Sequence, residues 1–173
     1  MKVAPFELPL AEIRDSLAPL RRPLRIAVLR SKNGFNIGAI IRTAHSFLAS
    51  DIVLVGSEPW YERAAMGMHR YENIVELPDE AALIAWAAER ELPLVVFERE
   101  PARVDLWHAE MPEECVLVFG SENDGVAPEI VAAAHEVVAI PMYGLNNSYP
   151  VTVAAGIAMA EWTRRHFATG RPK

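Results

Sequence analysis

Two short apolar segments in the last third of the chain constrain the fold most, because each runs directly into a loop rich in glycine, asparagine and serine. The first segment is 115–119 and its loop is 120–125; the second is 137–142 and its loop is 143–148. Apolar runs of this length between turn residues are typical of buried strands. In open α/β sheets, ligands bind at the carboxyl ends of the strands. We therefore expect a binding site where the two loops lie side by side.

Predicted strands and helices alternate through the rest of the chain. The predicted strands cover residues 24–29, 51–55, 73–77, 94–97, 115–119 and 137–142. The predicted helices cover residues 11–17, 37–48, 59–70, 80–91 and 151–162, with a further helix beginning near Pro128. This alternation is typical of an α/β domain with a mostly parallel, six-stranded sheet flanked by helices. We expect an N-terminal arm over 1–23, the domain over 24–167 and a C-terminal tail over 168–173.

Composition excludes several classes of protein. The sequence contains no run of about 18 uncharged apolar residues, so we expect no membrane span. Prolines and glutamates interrupt the first residues, which argues against a signal peptide. The single cysteine, Cys115, excludes an internal disulfide, and its place in a predicted strand favours a buried, inert thiol. A reduced thiol favours a cytoplasmic location.

The charge of the chain is unevenly distributed. The net charge is −6, yet residues 1–50 hold eight basic residues against three acidic ones. Such a basic segment is either a solvated surface or a local binding surface for a polyanion. Charge alone favours the solvated surface, and both interpretations stay open.

The common nucleotide and metal signatures are absent from the sequence. Gly120 and Gly125 have the spacing of a P-loop, but Val126 and Ala127 replace the lysine and hydroxyl residue that a P-loop needs. No dinucleotide fingerprint and no nucleophile elbow occur. The five histidines and Cys115 lack the spacing of metal ligands, so we expect no metal site.

Three segments carry a more specific signal. They read N-I-G-A-I-I-R-T-A over 36–44, L-V-F-G-S-E-N-D-G-V over 117–126, and I-P-M over 140–142 followed by S-Y-P-V-T-V-A-A-G-I over 148–157. In this order and spacing the chain resembles the SPOUT superfamily of RNA methyltransferases, in the TrmH-type branch that methylates ribose 2′-hydroxyls. The resemblance covers roughly residues 24–166, which is most of the chain.

The resemblance implies several properties that periodicity does not. It implies a deep trefoil knot near the C-terminus, in which the knotted loops hold S-adenosylmethionine in a bent conformation. It implies a homodimer with the active site near the subunit interface. It also implies an RNA partner, either tRNA or rRNA, and direct transfer of a methyl group to a ribose 2′-hydroxyl.

Eight residues stand where the branch has functional residues. The cofactor-binding residues that the resemblance implies are Gly120, Ile140, Met142 and Tyr149. The catalytic residues that it implies are Arg42, Asn36, Glu122 and Ser148. Taken alone, Asn36 is better explained as a helix cap and Arg42 as a solvated surface residue; the joint occurrence of the motifs in the order of the family favours the functional roles.

The chain departs from the branch in its third motif. The usual S-L-N is replaced by Ser148-Tyr149-Pro150, which alters the wall of the cofactor pocket and removes an active-site amide. Asn146 or Asn147 is a candidate to supply an amide instead. Two other interpretations therefore stay open: a SPOUT-fold protein that binds cofactor or RNA with impaired catalysis, and an unrelated flavodoxin-like α/β protein.

Overall fold

A computed structural model describes residues 8–122 and 124–167, and the fold within these residues is built on one parallel sheet. Seven strands pair in the order β3-β2-β1-β6-β4-β7-β5. The strands are β1 (Arg22–Leu29), β2 (Ala49–Val55), β3 (Ile74–Leu77), β4 (Leu94–Phe97), β5 (Val104–Asp105), β6 (Cys115–Phe119) and β7 (Glu136–Ala139). Every pair of neighbouring strands is parallel.

Five α-helices accompany the sheet in the described residues. They are α1 (Leu10–Leu17), α2 (Phe35–Ser46), α3 (Glu80–Ala88), α4 (Pro128–Ala133) and α5 (Val151–Phe167). Three short 3₁₀ helices cover Ala18–Leu20, Glu62–Ala65 and Met68–Tyr71. The α/β class, the parallel sheet and the flanking helices are confirmed.

The predicted count of six strands is wrong, because β5 forms a seventh strand. It is only two residues long and lies in the charged segment that follows β4. It pairs with β7 at the edge of the sheet, with Val104 opposite Val138 and Asp105 opposite Ala139. So short a strand has no periodicity that a sequence could reveal.

Several predicted boundaries also differ from the structure. The predicted helix 59–70 is two 3₁₀ helices, because Met66 and Gly67 adopt left-handed backbone angles, with φ of +51° and +83°. The last predicted strand ends at Ala139, so that 140–142 lies in the loop. The final helix continues beyond its predicted end at 162 to Phe167. The expected N-terminal arm is largely α1 and a 3₁₀ helix, and Arg22 already belongs to β1; residues 1–7 and 168–173 lie outside the described residues.

The strands bury one apolar core on each face of the sheet. Side chains alternate along a strand, so Leu24, Ile26 and Val28 of β1 face the cluster that includes Ile40 of α2 and Trp162 of α5. The opposite face of β1 joins a second cluster with residues of α3 and α4. Both faces are therefore covered, as expected for a parallel sheet.

The C-terminal helix holds the segment that follows β5. Trp162 Nε1 donates to the carbonyl of Pro112 at 3.1 Å, and the His166 ring bonds to the carbonyl of Met111 at 2.8 Å. The Arg165 guanidinium donates to the carbonyls of Leu106 and Ala109. These bonds fix the segment between β5 and β6 against α5.

Within the described residues, no helix has the length and apolar character that crossing a bilayer requires.

Candidate functional site

Two adjoining cavities lie where β4, β6 and β7 end. Their volumes are about 320 Å³ and about 560 Å³. Residues Phe97, Glu98, Ser148, Tyr149 and Ala154 line both of them. The cavities therefore sit at the carboxyl edge of the sheet, between the two loops from which a binding site was expected.

Six of the eight residues singled out in the sequence line these cavities. Ile140 and Met142 line the first, Gly120 and Glu122 line the second, and Ser148 and Tyr149 line both. These residues come from two loops that are about twenty positions apart in the sequence, and the sheet order brings the loops together. The common location supports treating them as one site.

The loop after β6 closes as a tight hairpin beside the second cavity. Ser121 and Gly125 exchange two backbone hydrogen bonds, at 3.0 and 3.1 Å, and Gly125 has a φ of +66°. At Gly120, a Cβ atom would clash with the backbone of Gly125 and would lie 2.6 Å from the nitrogen of Val126. Only glycine at this position allows the hairpin to fold back so closely. Asn123 lies outside the described residues.

The loop between β7 and α5 forms the other wall. Tyr149 Oη donates to the carbonyl of Pro141 at 3.1 Å, and Asn146 Nδ2 donates to the carbonyl of Ser148 at 3.3 Å. The carbonyl of Pro150 accepts hydrogen bonds from the first turn of α5. Proline is therefore compatible with the start of this helix. Asn147, one of the two candidates to replace the missing active-site amide, lines the first cavity.

Glu98 lines both cavities, and the sequence analysis missed it. Its Oε2 accepts from the backbone N–H of Val126 at 3.1 Å, and its Oε1 accepts from the N–H of Arg99 at 3.0 Å. The carboxylate thus ties the end of β4 to the hairpin after β6. Its position directly after a predicted strand was the available signal, because that is where ligand-binding residues of α/β sheets lie.

Arg42 and Asn36 lie on α2, outside both cavities. Arg42 is exposed, and its guanidinium has no hydrogen bond or ion pair within residues 8–122 and 124–167. Asn36 is not the helix cap, because α2 begins at Phe35 after Gly34; its Nδ2 is buried without a partner among the described residues. One contact links this region to the cavities: Asn33 Nδ2 donates to Glu122 Oε2 at 3.3 Å.

Ion pairs neutralise much of the basic N-terminal segment. Arg21 pairs with the buried Glu72 at 2.5 Å, Arg25 pairs with Asp51 at 3.1 Å, and Arg30 lies 2.9 Å from a carboxylate oxygen of Glu76. Glu72 also bonds to the ring of His45, which gives that histidine a structural role. The number of basic residues in the sequence therefore overstates the positively charged surface that is available to a polyanion.

The Cys115 thiol is buried, as predicted. Burial raises the pKa of this thiol to about 12, so that it stays protonated and unreactive at neutral pH. Among the described residues, no group of three or more His, Cys, Asp or Glu side chains is arranged to hold a metal ion.

Two known enzymes are similar to this chain in sequence. The tRNA (guanosine(18)-2'-O)-methyltransferase of Aquifex aeolicus is 27% identical over 174 residues, which cover 98% of this chain and 82% of that enzyme. The 23S rRNA (adenosine(1067)-2'-O)-methyltransferase of Streptomyces laurentii is 35% identical over 144 residues, covering 79% of this chain and 52% of that enzyme. The chain thus spans most of the first relative and about half of the second.

A solved structure and a family model extend the agreement. The crystal structure of an rRNA methyltransferase from Sinorhizobium meliloti with S-adenosylmethionine bound superposes with a TM-score of 0.76 at 28% identity, over 91% of this chain and 61% of that one. The model of the SpoU rRNA Methylase family matches residues 23–160, a range that contains the three motifs and all of the cavity-lining residues. The resemblance found in the sequence is confirmed, and the chain belongs to the SpoU rRNA Methylase family.

Proposed function

We propose that this protein is an S-adenosylmethionine-dependent RNA methyltransferase that methylates a ribose 2′-hydroxyl of tRNA or rRNA. One observation carries the proposal: residues from the second and third motifs converge on two adjoining cavities at the carboxyl ends of β4, β6 and β7. The names of the relatives from Aquifex and Streptomyces support the reaction and the class of substrate.

The residues around the cavities fit S-adenosylmethionine. Small-molecule sites in proteins measure roughly 300–1,000 Å³ and combine apolar walls with a few polar groups. Ile140 and Met142 give the first cavity an apolar wall suited to an adenine ring. The carboxylate of Glu98 faces both cavities and suits a ligand that carries positive charge. Bound there, S-adenosylmethionine supplies an electrophilic methyl group on its sulfonium sulfur.

Arg42 is proposed to bind the phosphate next to the target ribose. A guanidinium presents a planar fork of donors that matches phosphate geometry. Because a guanidinium only donates hydrogen bonds and is not deprotonated in proteins, its task is to bind the phosphate and orient the 2′-hydroxyl, whose proton passes to the neighbouring phosphate or to water as the oxygen takes the methyl group. The absence of any partner for its guanidinium within the described residues leaves it available for this contact.

The remaining catalytic assignments follow the cavity walls. Ser148 and Glu122 line the second cavity, where they are placed to hold the ribose by hydrogen bonds. Asn36 offers a buried amide nitrogen that lacks a partner among the described residues. Because Arg42 and Asn36 lie outside the cavities, we propose that bound RNA or a second subunit completes the site.

We also propose a homodimer and a knotted C-terminus. Tyr143 and Leu145 are 91% and 102% exposed on the loop that forms the cavity wall, and Val153 of α5 is 44% exposed beside it. A second copy that covers this apolar surface would place a subunit interface next to the cavities. The bonds between α5 and the segment after β5 hold the C-terminal helix against the domain, and membership of the family supports the knot that the resemblance implies. We further propose that the chain divides into a short N-terminal arm, one methyltransferase domain and a tail. We also propose that the protein acts in the cytoplasm, where tRNA and rRNA occur.

A second candidate function is a binding protein with impaired catalysis. Pro150 favours it, because proline stands where the branch has an active-site asparagine and offers neither an amide side chain nor a backbone N–H. Such a protein would bind cofactor or RNA without methyl transfer.

Calorimetric titration of the purified protein with S-adenosylmethionine and S-adenosylhomocysteine tests the proposal. We expect micromolar binding of both. Absence of binding, with and without bulk tRNA, would refute the assignment of the cavities. Binding without methylation of any RNA in a tRNA and rRNA pool would favour the second candidate.

A further inference from the structure

Two exposed aromatic rings stack on each other at the start of α2. The rings of Phe35 and Tyr61 lie 5.4 Å apart with an angle of 17° between their planes. Phe35 is 59% exposed and Tyr61 is 46% exposed. Two large rings left in solvent have no role in the cores described above. A flat surface of this kind suits another aromatic ring.

The local backbone holds the two rings in place. The N–H of Tyr61 donates to the carbonyl of Gly34 at 3.0 Å, directly before Phe35. At Gly34, a Cβ atom would lie 2.7 Å from the Cα of Trp60 and 2.7 Å from the carbonyl oxygen of Pro59. The two segments therefore touch through their backbones, which orders the aromatic pair before any ligand arrives.

Phe35 and Arg42 lie on the same exposed side of α2. Seven residues advance a helix by about 700°, only about 20° short of two full turns, and by about 10 Å along its axis. Both residues are exposed, and the side chain of Ala39 between them is too small to separate them. The stacked pair is therefore a neighbour of the residue assigned to the RNA phosphate.

Three basic residues near the pair are available for contacts with phosphates. Lys32, Arg42 and Arg63 are exposed, and their charged groups have no ion pair or hydrogen bond in the part of the chain that the structure describes. Two acidic residues are close in sequence, Glu58 and Glu62, and Glu62 lies 3.8 Å from the ring of His69. Glu122 accepts a hydrogen bond from Asn33.

We propose that Phe35 and Tyr61 form a platform on which one base of single-stranded RNA stacks, next to the nucleotide whose phosphate Arg42 binds. This inference rests on the proposed function. Aromatic side chains stack on unpaired bases in many RNA-binding proteins, and the flanking cations would hold the adjacent phosphates. A second copy of the chain is the less suitable occupant, because the exposed cations near the rings match phosphates, whereas the core of a subunit interface is usually depleted of charged residues. The apolar surface at Tyr143 and Leu145 suits a subunit interface better.

Fluorescence anisotropy with a labelled single-stranded RNA and with bulk tRNA tests the platform. We expect Phe35→Leu to weaken RNA binding by about 5- to 100-fold, the range for loss of one stacked base. Phe35→Tyr keeps an aromatic ring and should restore binding. Trp107→Leu is the matched control, since Trp107 is similarly exposed, at 53%, near the β5 edge of the sheet.

Salt dependence separates stacking from charge. Loss of a stacked base should leave the slope of log Kd against log salt unchanged, whereas Arg63→Ala should reduce the slope by about one phosphate contact. Unchanged RNA affinity in Phe35→Leu would overturn the platform. A change of oligomeric state by light scattering in Phe35→Leu would also overturn it, and would assign the pair to the subunit interface. Failure of the wild-type protein to bind either RNA would count against the proposed RNA substrate as well as the platform, whereas wild-type binding that Phe35→Leu leaves unchanged overturns the platform alone.

Discussion

Tyr149 Oη donates a hydrogen bond to the carbonyl oxygen of Pro141 at 3.1 Å, and this bond closes the loop between β7 and α5 into the wall shared by both cavities. The two residues are eight positions apart and bracket the exposed tip with Tyr143 and Leu145. Leucine, which the branch usually has at this position, cannot make such a bond. Tyrosine at this position therefore adds a hydrogen bond that fixes the loop, which an apolar leucine would not provide.

Removal of the Tyr149 hydroxyl should weaken cofactor binding modestly. One neutral hydrogen bond contributes about 0.5–1.5 kcal/mol, so Tyr149→Phe should raise the Kd for S-adenosylmethionine by about 2- to 10-fold. Tyr149→Leu should lose the same bond and restore the usual residue of the branch. Calorimetry measures both; an unchanged Kd in Tyr149→Phe would show that the hydroxyl does not order the wall.

The Glu98 carboxylate should be needed for cofactor binding. Alanine at this position leaves the N–H of Val126 without its acceptor and removes the negative charge from both cavities. Hydrogen bonds to charged groups contribute about 1.5–3 kcal/mol, so we expect Glu98→Ala to raise the Kd for S-adenosylmethionine by about 10- to 100-fold. Glu98→Gln keeps an oxygen acceptor and should be intermediate. Glu89→Ala, on the exposed end of α3, is the control; equal effects at positions 98 and 89 would contradict the role of Glu98.

A methyl group at Gly120 should disrupt the hairpin after β6. The added Cβ would meet the backbone of Gly125 and Val126, which cannot move without opening the hairpin. Gly120→Ala should therefore abolish measurable cofactor binding and lower the melting temperature. Gly156→Ala serves as the control, because a Cβ at Gly156 meets no atom within 4 Å and alanine stabilises a helix by about 0.5–1 kcal/mol relative to glycine. Retained cofactor affinity in Gly120→Ala would refute this account of the hairpin.

Glu161 should contribute stability that depends on pH. Hydrogen bonds from Arg164 lower the pKa of this carboxyl to about 2, against its ordinary value of 4.5, and Arg165 adds a further bond. Because the folded pKa lies below the unfolded one, the contribution is complete above about pH 4.5 and disappears as the pH falls toward about 2. Glu161→Gln should therefore destabilise the protein by about 1 kcal/mol at neutral pH, a discounted value since Arg164 is mostly exposed. Thermal melts should show this difference shrink between pH of about 5 and about 3; a difference independent of pH would contradict the assignment.

The sequence predicted the central strands better than the edges of the fold. The bounds of β4 and β6 match the prediction, because continuous apolar runs between turn residues are a strong signal for buried strands. The seventh strand and the left-handed Met66 could not be predicted, since both depend on contacts with distant segments rather than on local pattern.

The candidate site was predictable only in part. Family motifs identified residues of the loops after β6 and β7, and these line the cavities. Glu98 lay outside every motif, and its role depends on a hydrogen bond to Val126, 28 positions away, which only the folded chain reveals. The basic N-terminal segment left two interpretations open for a similar reason, because the acidic partners of Arg21 and Arg25 come from later strands and loops.

The proposed reaction transfers a methyl group to a ribose 2′-hydroxyl of RNA. Incubation with isotope-labelled S-adenosylmethionine and an unmodified tRNA and rRNA pool, followed by mass spectrometry of the digested nucleosides, tests it most directly. We expect a labelled 2′-O-methylnucleoside, and a rate at least about 100-fold lower in Arg42→Lys, which keeps the charge but loses the planar donor fork. A label on a base, or no label in any RNA from a protein that binds the cofactor, would rule out this reaction.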